Sequence, residues 1–141
     1  MTIQEAKKEL HIIKEIQKDI ESVEEELEKY RSMATRMTTD FDKISVQTSA
    51  RNRLEEAVIK IEDYTNRLSV LLVEMLDYKQ RCLSIVEKIE PPSLRRVLLV
   101  YYFANNTLER TAEIVGHSYQ WTYDIFSSAL EEYCKVHDSF R

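Results

Sequence analysis

The sequence predicts an all-α protein: a long antiparallel helical hairpin resembling a coiled coil, followed by a compact unit of three short helices. Three observations support this fold class. One glycine and two prolines in 141 residues leave few sites for the tight turns of β-hairpins. Two long segments carry apolar residues at alternating steps of three and four. Finally, Pro91-Pro92 separates these segments from shorter amphipathic ones.

The first helix is predicted over residues 2–37. From Ile13 onward its apolar positions follow a strict three-four spacing, which is typical of a helix packed along its whole length. Its stripe comprises Ala6, Ile13, Ile16, Ile20, Val23, Leu27, Tyr30, Ala34 and Met37. The segment 38–50 is rich in Ser, Thr and Asp, which compete with helical hydrogen bonds, so we expect a loop there.

The second helix is predicted over about 51–90, with a stripe of the same spacing from Leu54 to Ile89. Val58, Leu72 and Val86 widen this stripe on one side. A widened face predicts that the helix meets a further surface, either the C-terminal region or a second subunit. The pattern is equally compatible with a hairpin within one chain, a homodimer built from it, and a docking surface for another protein.

The prolines at 91 and 92 mark the clearest boundary in the chain. Pro91 biases Glu90 away from helical geometry, and Ser93 is a suitable N-cap for a new helix. The sequence therefore predicts two domains, a helical hairpin over 1–90 and a C-terminal domain over 91–141.

Three short helices are expected in the C-terminal domain, at about 93–104, 108–115 and 119–134. Thr107 and Ser118 are the predicted caps of the second and third helices. Ala112 provides a small residue for a helix crossing, and Gly116, four residues later, tolerates positive φ in the turn. This is the layout of a helix-turn-helix, although a plain three-helix cap packed on the hairpin would show similar spacing.

In a helix-turn-helix, the N-terminal residues of the third helix enter the major groove. The amide of Gln120 can pair bidentately with adenine, and the Tyr119 and Tyr123 hydroxyls can bind phosphate oxygens. Trp121 is expected to pack against the first helix of the unit or against the sugar-phosphate backbone. The candidate DNA-binding residues of this domain are Thr107, Arg110, Ser118, Tyr119, Gln120, Trp121, Tyr123, Asp124 and Ser127.

The stretch from Thr107 to Leu130 resembles sigma factor region 4. It is more similar still to phage-encoded transcriptional regulators of the RinA/ArpU type and their relatives in phages of Gram-positive bacteria. Gly116-His117-Ser118-Tyr119-x-Trp121 and the later Ala129-Leu130 carry most of the likeness, and 57–64 resembles the middle of the same proteins. The likeness covers roughly residues 45–133. It implies a DNA-binding regulator of phage gene expression.

The net charge of the C-terminal domain limits how strongly this domain can bind DNA. Residues 91–141 contain five Lys/Arg and six Asp/Glu, a net charge of −1. Because Lys and Arg supply most duplex affinity through phosphate contacts, this domain alone is expected to bind DNA weakly. Homodimerisation through the hairpin would double the contacts. Alternatively, Arg51 and Arg53 in the flexible middle segment would add phosphate contacts.

Other functions find little support in the sequence. The three histidines and two cysteines form no catalytic set, and Cys134 with His137 lacks the further ligands of a zinc site. We expect no enzyme activity, no metal, no cofactor and no small-molecule substrate. No apolar run is long enough to span a membrane, and the cysteine usage suits a reducing cytoplasm, here that of a bacterial host.

Two functional hypotheses remain open. In the first, the protein is a phage-type transcriptional regulator that reads duplex DNA, while its coiled hairpin forms the dimer or contacts RNA polymerase. In the second, it is a protein-interaction module whose helix-turn-helix no longer reads DNA and whose tyrosine-rich helix binds a host protein such as RNA polymerase.

Overall fold

A computed structural model of the chain describes residues 1–43 and 48–140, and within these ranges the regular structure is entirely helical. Two long helices come first, and three shorter ones follow. The helices are α1 (Ile3–Lys43), α2 (Thr48–Val86), α3 (Pro92–Leu98), α4 (Leu108–Val115) and α5 (Tyr119–Ser139), with a π-helical segment, Leu99–Phe103, directly after α3.

The chain forms two compact units. The terminal unit combines Met1–Gln17 with Met75–Arg141, and the hairpin unit comprises Lys18–Glu74. Helices α1 and α2 contribute to both, so the first turns of α1 belong to the same unit as α3, α4 and α5.

In the hairpin unit, α1 and α2 pack against each other in antiparallel directions. The rings of Tyr30 and Tyr64 stack with centroids 5.6 Å apart. Further along α1, Met37 lines the same cavity as Arg53, an earlier residue of α2. One seam buries few side chains completely, and several aliphatic residues of α2 remain exposed. The exposed aliphatic residues of this unit are Val58, Ile59, Val70, Leu72 and Val73.

The loop expected at about 38–50 is largely helical. Helix α1 continues to Lys43 and α2 begins at Thr48, while residues 44–47 lie outside the described ranges. The hydroxyl of Thr38 donates to the Ala34 carbonyl at 2.9 Å. A hydroxyl that donates to the carbonyl four residues earlier has its hydrogen bond satisfied within the helix. The helix can therefore continue through residues whose composition predicted a loop.

The terminal unit has a well-filled core to which every helix of the chain contributes. Early residues of α1 pack with the end of α2, where the Tyr78 hydroxyl donates to the Glu9 carbonyl at 2.7 Å. Val86, one of the residues that widen the α2 stripe, is fully buried here. The largest fully buried side chains are Tyr133, Leu10, Ile13, Ile89, Leu98, Leu130, Val86 and Val97.

The boundary after α2 differs in detail from the prediction. Helix α2 ends at Val86 rather than at 90, and the amides of Lys88 and Ile89 form tight turn bonds to Ile85 and Val86. Pro91, not Ser93, occupies the N-cap of α3, and it forms no side-chain cap bond. Proline is accepted at the first helical position, Pro92, because that amide has no partner within the helix.

Candidate nucleic-acid interface

The connection between α4 and α5 is short and well capped. Gly116 takes a left-handed conformation (φ +77°), and its amide donates to the carbonyls of Ala112 and Glu113. The His117 amide also donates to Ala112. A Cβ at residue 116 would meet no neighbour within 4 Å, so backbone conformation, rather than space, favours glycine here.

Both helices begin at the residues predicted as their caps. The Thr107 hydroxyl accepts from the Arg110 amide, and the Ser118 hydroxyl accepts from the Trp121 amide, each at 3.1 Å. Four residues after each cap, a buried threonine donates its hydroxyl to the carbonyl of the cap residue: Thr111 to Thr107 and Thr122 to Ser118. These bonds satisfy two hydroxyls that are buried in the core of the terminal unit.

The exposed face of α5 carries most of the predicted reading residues. Tyr119 and Tyr123 are each 48% exposed, and Gln120 and Asp124 are exposed between them. The Gln120 amide donates to the Asp124 carboxylate at 3.1 Å. Ser127 is half-buried and donates to the Tyr123 carbonyl at 3.2 Å. From Tyr119 to Ser127 the face is therefore polar and aromatic, and the charged side chain that it carries there, Asp124, is negative.

Trp121 lies at one margin of this face. Its ring stacks on His117 with centroids 3.6 Å apart. Both side chains line a cavity of about 290 Å³ together with Ser93, Arg96 and Val97 of α3. The expectation that Trp121 packs against the first helix of the unit therefore agrees with the structure, and the cavity brings the exposed Arg96 to this margin of α5.

The predicted residues on α4 are less available. Thr107 is occupied as a cap, and the Arg110 guanidinium is paired with the Glu113 carboxylate at 2.7 Å. Both partners of this pair are exposed, so the pair is weak and Arg110 can exchange Glu113 for another anion.

Phe126 lies at the other margin of α5 and was not among the residues singled out from the sequence. It is buried, and its ring packs edge-on against Tyr101 with centroids 5.0 Å apart. Its spacing from Thr122, Ala129 and Tyr133 by four, three and seven residues is the signal that identifies it. Burial raises the pKa of Tyr101 and Tyr102, so both hydroxyls stay protonated at neutral pH.

A cavity of about 550 Å³ opens beside Phe126. Tyr101 and Tyr102 line one side of it, and side chains from the first turns of α1 line the other. The α1 residues are Lys7, Lys8, His11, Ile12 and Glu15. These residues lie more than 100 positions away from α5 in the sequence, and no local pattern connects them with it.

Arg51 and Arg53 are not in a flexible segment. Both lie in α2, where they are exposed, and both belong to the hairpin unit. Arg53 lines a cavity with Tyr30, Met33 and Met37 of α1. The structure thus brings nine of the predicted residues together in the terminal unit, and these two arginines are not among them.

Catalytic groups are sparse. Across residues 1–43 and 48–140, no three His, Cys, Asp or Glu side chains are grouped closely enough to hold a metal ion. Burial raises the pKa of the Cys82 thiol to about 11, so it is protonated and a poor nucleophile at neutral pH. None of the described helices is both long and apolar enough to cross a membrane.

Comparison with known proteins gives no relative. No protein-family model matches the chain, and no significant match was found among curated proteins or solved structures.

Proposed function

We propose that this protein is a phage-type transcriptional regulator that binds duplex DNA through a helix-turn-helix formed by α4, Gly116 and α5, inside a bacterial host cell. The main support is the capped connection between α4 and α5, where Thr107, Gly116 and Ser118 provide a cap, a left-handed turn and a second cap in twelve residues. The resemblance of residues 107–130 to sigma factor region 4 supports the same assignment.

In this proposal the exposed face of α5 enters the major groove. A helix with its side chains is about 10–12 Å wide, which fits a groove of about 12 Å. Gln120 reads a base edge, and it exchanges its bond to Asp124 for one to adenine. Tyr119 and Tyr123 donate to phosphate oxygens, and the flanking Arg110 contributes a positive charge.

Dimerisation would be the role of the hairpin unit. Its exposed aliphatic side chains on α2, such as Val58 and Leu72, are suited to a second copy, and a homodimer would present two reading helices to two half-sites. RNA polymerase is the other partner proposed for this surface.

The test is selection of bound sequences from a random duplex pool, followed by substitution of the reading residue. Gln120→Ala should lower affinity for the selected sequence by about 1–3 kcal/mol while leaving binding to unrelated duplexes nearly unchanged. Gln80→Ala, at an exposed glutamine of α2, is the matched control. If no sequence is enriched at any salt concentration, or if Gln120→Ala has no effect on preference, α5 is not a reading helix.

The hydrogen bond between Gln120 and Asp124 favours a second function, that of a protein-interaction module. This bond occupies the only amide on the reading face, and the same face carries two exposed tyrosines and a carboxylate. In that case Tyr119→Ala with Tyr123→Ala should abolish binding to purified host RNA polymerase, measured by co-sedimentation. Unchanged binding to polymerase, or no binding by the unsubstituted protein, would exclude this alternative.

A further inference from the structure

A helix that enters the major groove without basic residues needs cations from elsewhere. The exposed face of α5 carries no Lys or Arg from Tyr119 to Leu130, and residues 91–141 have a net charge of −1. Phosphate neutralisation provides most non-specific duplex affinity. The proposed function therefore requires positive charge on another element that packs beside α5.

The first turns of α1 meet this requirement. Helix α1 runs antiparallel to α5 in the terminal unit, since Glu9 lies beside His137 (3.9 Å) whereas His11 and Ile12 line the cavity beside Phe126. The same cavity is lined by Lys7 and Lys8. Two lysines from the first turns of α1 thus line the cavity at the Phe126 margin of α5.

These two lysines are available to a ligand. Lys8 is exposed and Lys7 half-exposed, and neither is ion-paired with another described residue. Lys14, in contrast, is held in the fold: its ammonium donates to the Asn106 carbonyl at 2.7 Å and lies 3.7 Å from the Tyr101 ring centre.

The acidic residues of the same segment make contacts other than ion pairs with these lysines, although Glu15 lines the same cavity. The Glu5 carboxylate accepts from the Thr2 amide at 2.7 Å, and Glu15 lies 3.9 Å from the His11 ring. Glu9 faces the interior, where one of its carboxylate oxygens is buried. The net charge of residues 1–17 is zero, and Lys7 and Lys8 are the two lysines of this segment whose ammonium groups are not held by another part of the described fold.

Lys7 and Lys8 lie where the phosphate backbone of a DNA strand would run if α5 occupied the major groove. With about 100° of rotation per residue, Tyr123, Ser127, Gln120 and Asp124 fall, in that order, between the Phe126 and Trp121 margins of α5. A helix lying in the major groove has one phosphate backbone along each margin. Arg96 and His117 lie at the Trp121 margin, and the two lysines lie at the Phe126 margin.

We propose that Lys7 and Lys8 of α1 form a phosphate-binding margin of the DNA interface and contact the backbone of the strand that passes beside Phe126. This inference rests on the proposed function, because it assigns part of the same interface. It makes the interface composite: α5 supplies the reading groups, and the beginning of the chain supplies the charge that residues 91–141 lack.

The test compares full-length Lys7→Gln/Lys8→Gln with the unsubstituted protein on a mixed-sequence 30-base-pair duplex, across a range of NaCl concentrations. Glutamine and lysine have similar helix propensity, so α1 should remain intact, which circular dichroism checks. Each phosphate contact contributes about −0.9 to the slope of log affinity against log salt, so the slope should become shallower by about 2. Affinity near 0.1 M salt should fall roughly tenfold or more.

Lys88→Gln/Lys135→Gln is the matched control. It removes the same charge from around the C-terminal part of α5, where Lys88 lies 4.4 Å from the Phe140 ring and Lys135 is about 24 Å along α5 from Tyr119. Its slope should equal that of the unsubstituted protein.

The outcomes separate the two proposals. If the unsubstituted protein binds and both double variants show its slope and affinity, the proposal for Lys7 and Lys8 is wrong. The proposal that α5 reads DNA is then unaffected. If the Lys7/Lys8 variant keeps its slope but loses sequence preference, the lysines do not act on phosphate and the inference also fails. If the unsubstituted protein binds no duplex even at 20 mM salt, the proposed function falls and the composite interface falls with it.

Discussion

The hairpin unit and the terminal unit contain the same two long helices but bury them very differently. Among the described side chains, four apolar residues of the hairpin unit are buried, against eighteen in the terminal unit. In the hairpin unit each helix meets one partner. In the terminal unit, α1 and α2 also contact α5 and the π-helical segment, so the same heptad-spaced stripes are covered from several sides.

This difference shows that a continuous heptad stripe does not by itself determine how stable each part of a helix is. Apolar burial contributes roughly 25 cal/mol per Å² removed from water, so a stripe covered on one side stabilises less than one covered on several. We therefore expect the terminal unit to be the more stable one, and the hairpin unit to be better suited to gaining a partner.

The largest expected effect comes from a matched pair of leucines on the two long helices. Leu10 is fully buried in the terminal unit, whereas Leu72 is 44% exposed in the hairpin unit. Leu10→Ala should reduce the free energy of unfolding by about 2–5 kcal/mol, because it removes buried contacts and leaves a cavity. Leu72→Ala should cost less than about 0.5 kcal/mol. Urea unfolding followed by circular dichroism measures both, and equal losses would contradict the comparison.

A smaller effect is expected at the start of α5. Ser118→Ala removes the hydroxyl that accepts from the Trp121 amide, so the terminal unit should lose about 1 kcal/mol. Hydrogen exchange followed by mass spectrometry should show faster exchange in α5 and no change in residues 18–38. Ser128→Ala, at an exposed position of the same helix, is the control. Protection that stays unchanged in α5 would mean that packing alone holds this end of the helix.

The smallest change in stability is expected for Tyr133 of the terminal core, and Tyr78 provides the comparison. The Tyr133 hydroxyl is buried beside the Cys82 thiol, a weak hydrogen-bonding partner, while the Tyr78 hydroxyl donates to the Glu9 backbone carbonyl. Tyr133→Phe should change stability by less than about 0.5 kcal/mol, whereas Tyr78→Phe should cost about 1 kcal/mol. Thermal unfolding measures both. A large loss for Tyr133→Phe would show that polar contacts, and not apolar packing alone, stabilise this core.

Local patterns predicted much of the fold. The all-helical class and the caps of α4 and α5 followed from spacing and from Thr107, Gly116 and Ser118, because capping is decided within four or five residues. Helix ends were less predictable. Residues 38–43 and 48–50, where a loop was expected, are helical, and a threonine hydroxyl bonded to a carbonyl four residues earlier allows α1 to continue.

The positions of the candidate reading residues on α5 could also be derived, because they depend on one helix and its rotation per residue. The positively charged margin formed by Lys7 and Lys8 could not be derived in this way. Lys7 and Lys8 looked like ordinary solvent-exposed lysines of an amphipathic helix, and only packing of α1 along α5 brings them beside Phe126. The expectation that Arg51 and Arg53 lie in a flexible segment was wrong, since both belong to helix α2.

The sequence by itself determined the helices, their caps and which faces are apolar, because these depend on propensity and hydrogen bonds between neighbouring residues. Tertiary structure decided which parts of those faces are covered. Val58 and Val86 widen the same stripe of α2, yet Val58 is 53% exposed and Val86 is fully buried. Burial depends on which helices pack against a given turn, and those contacts join residues far apart in the chain.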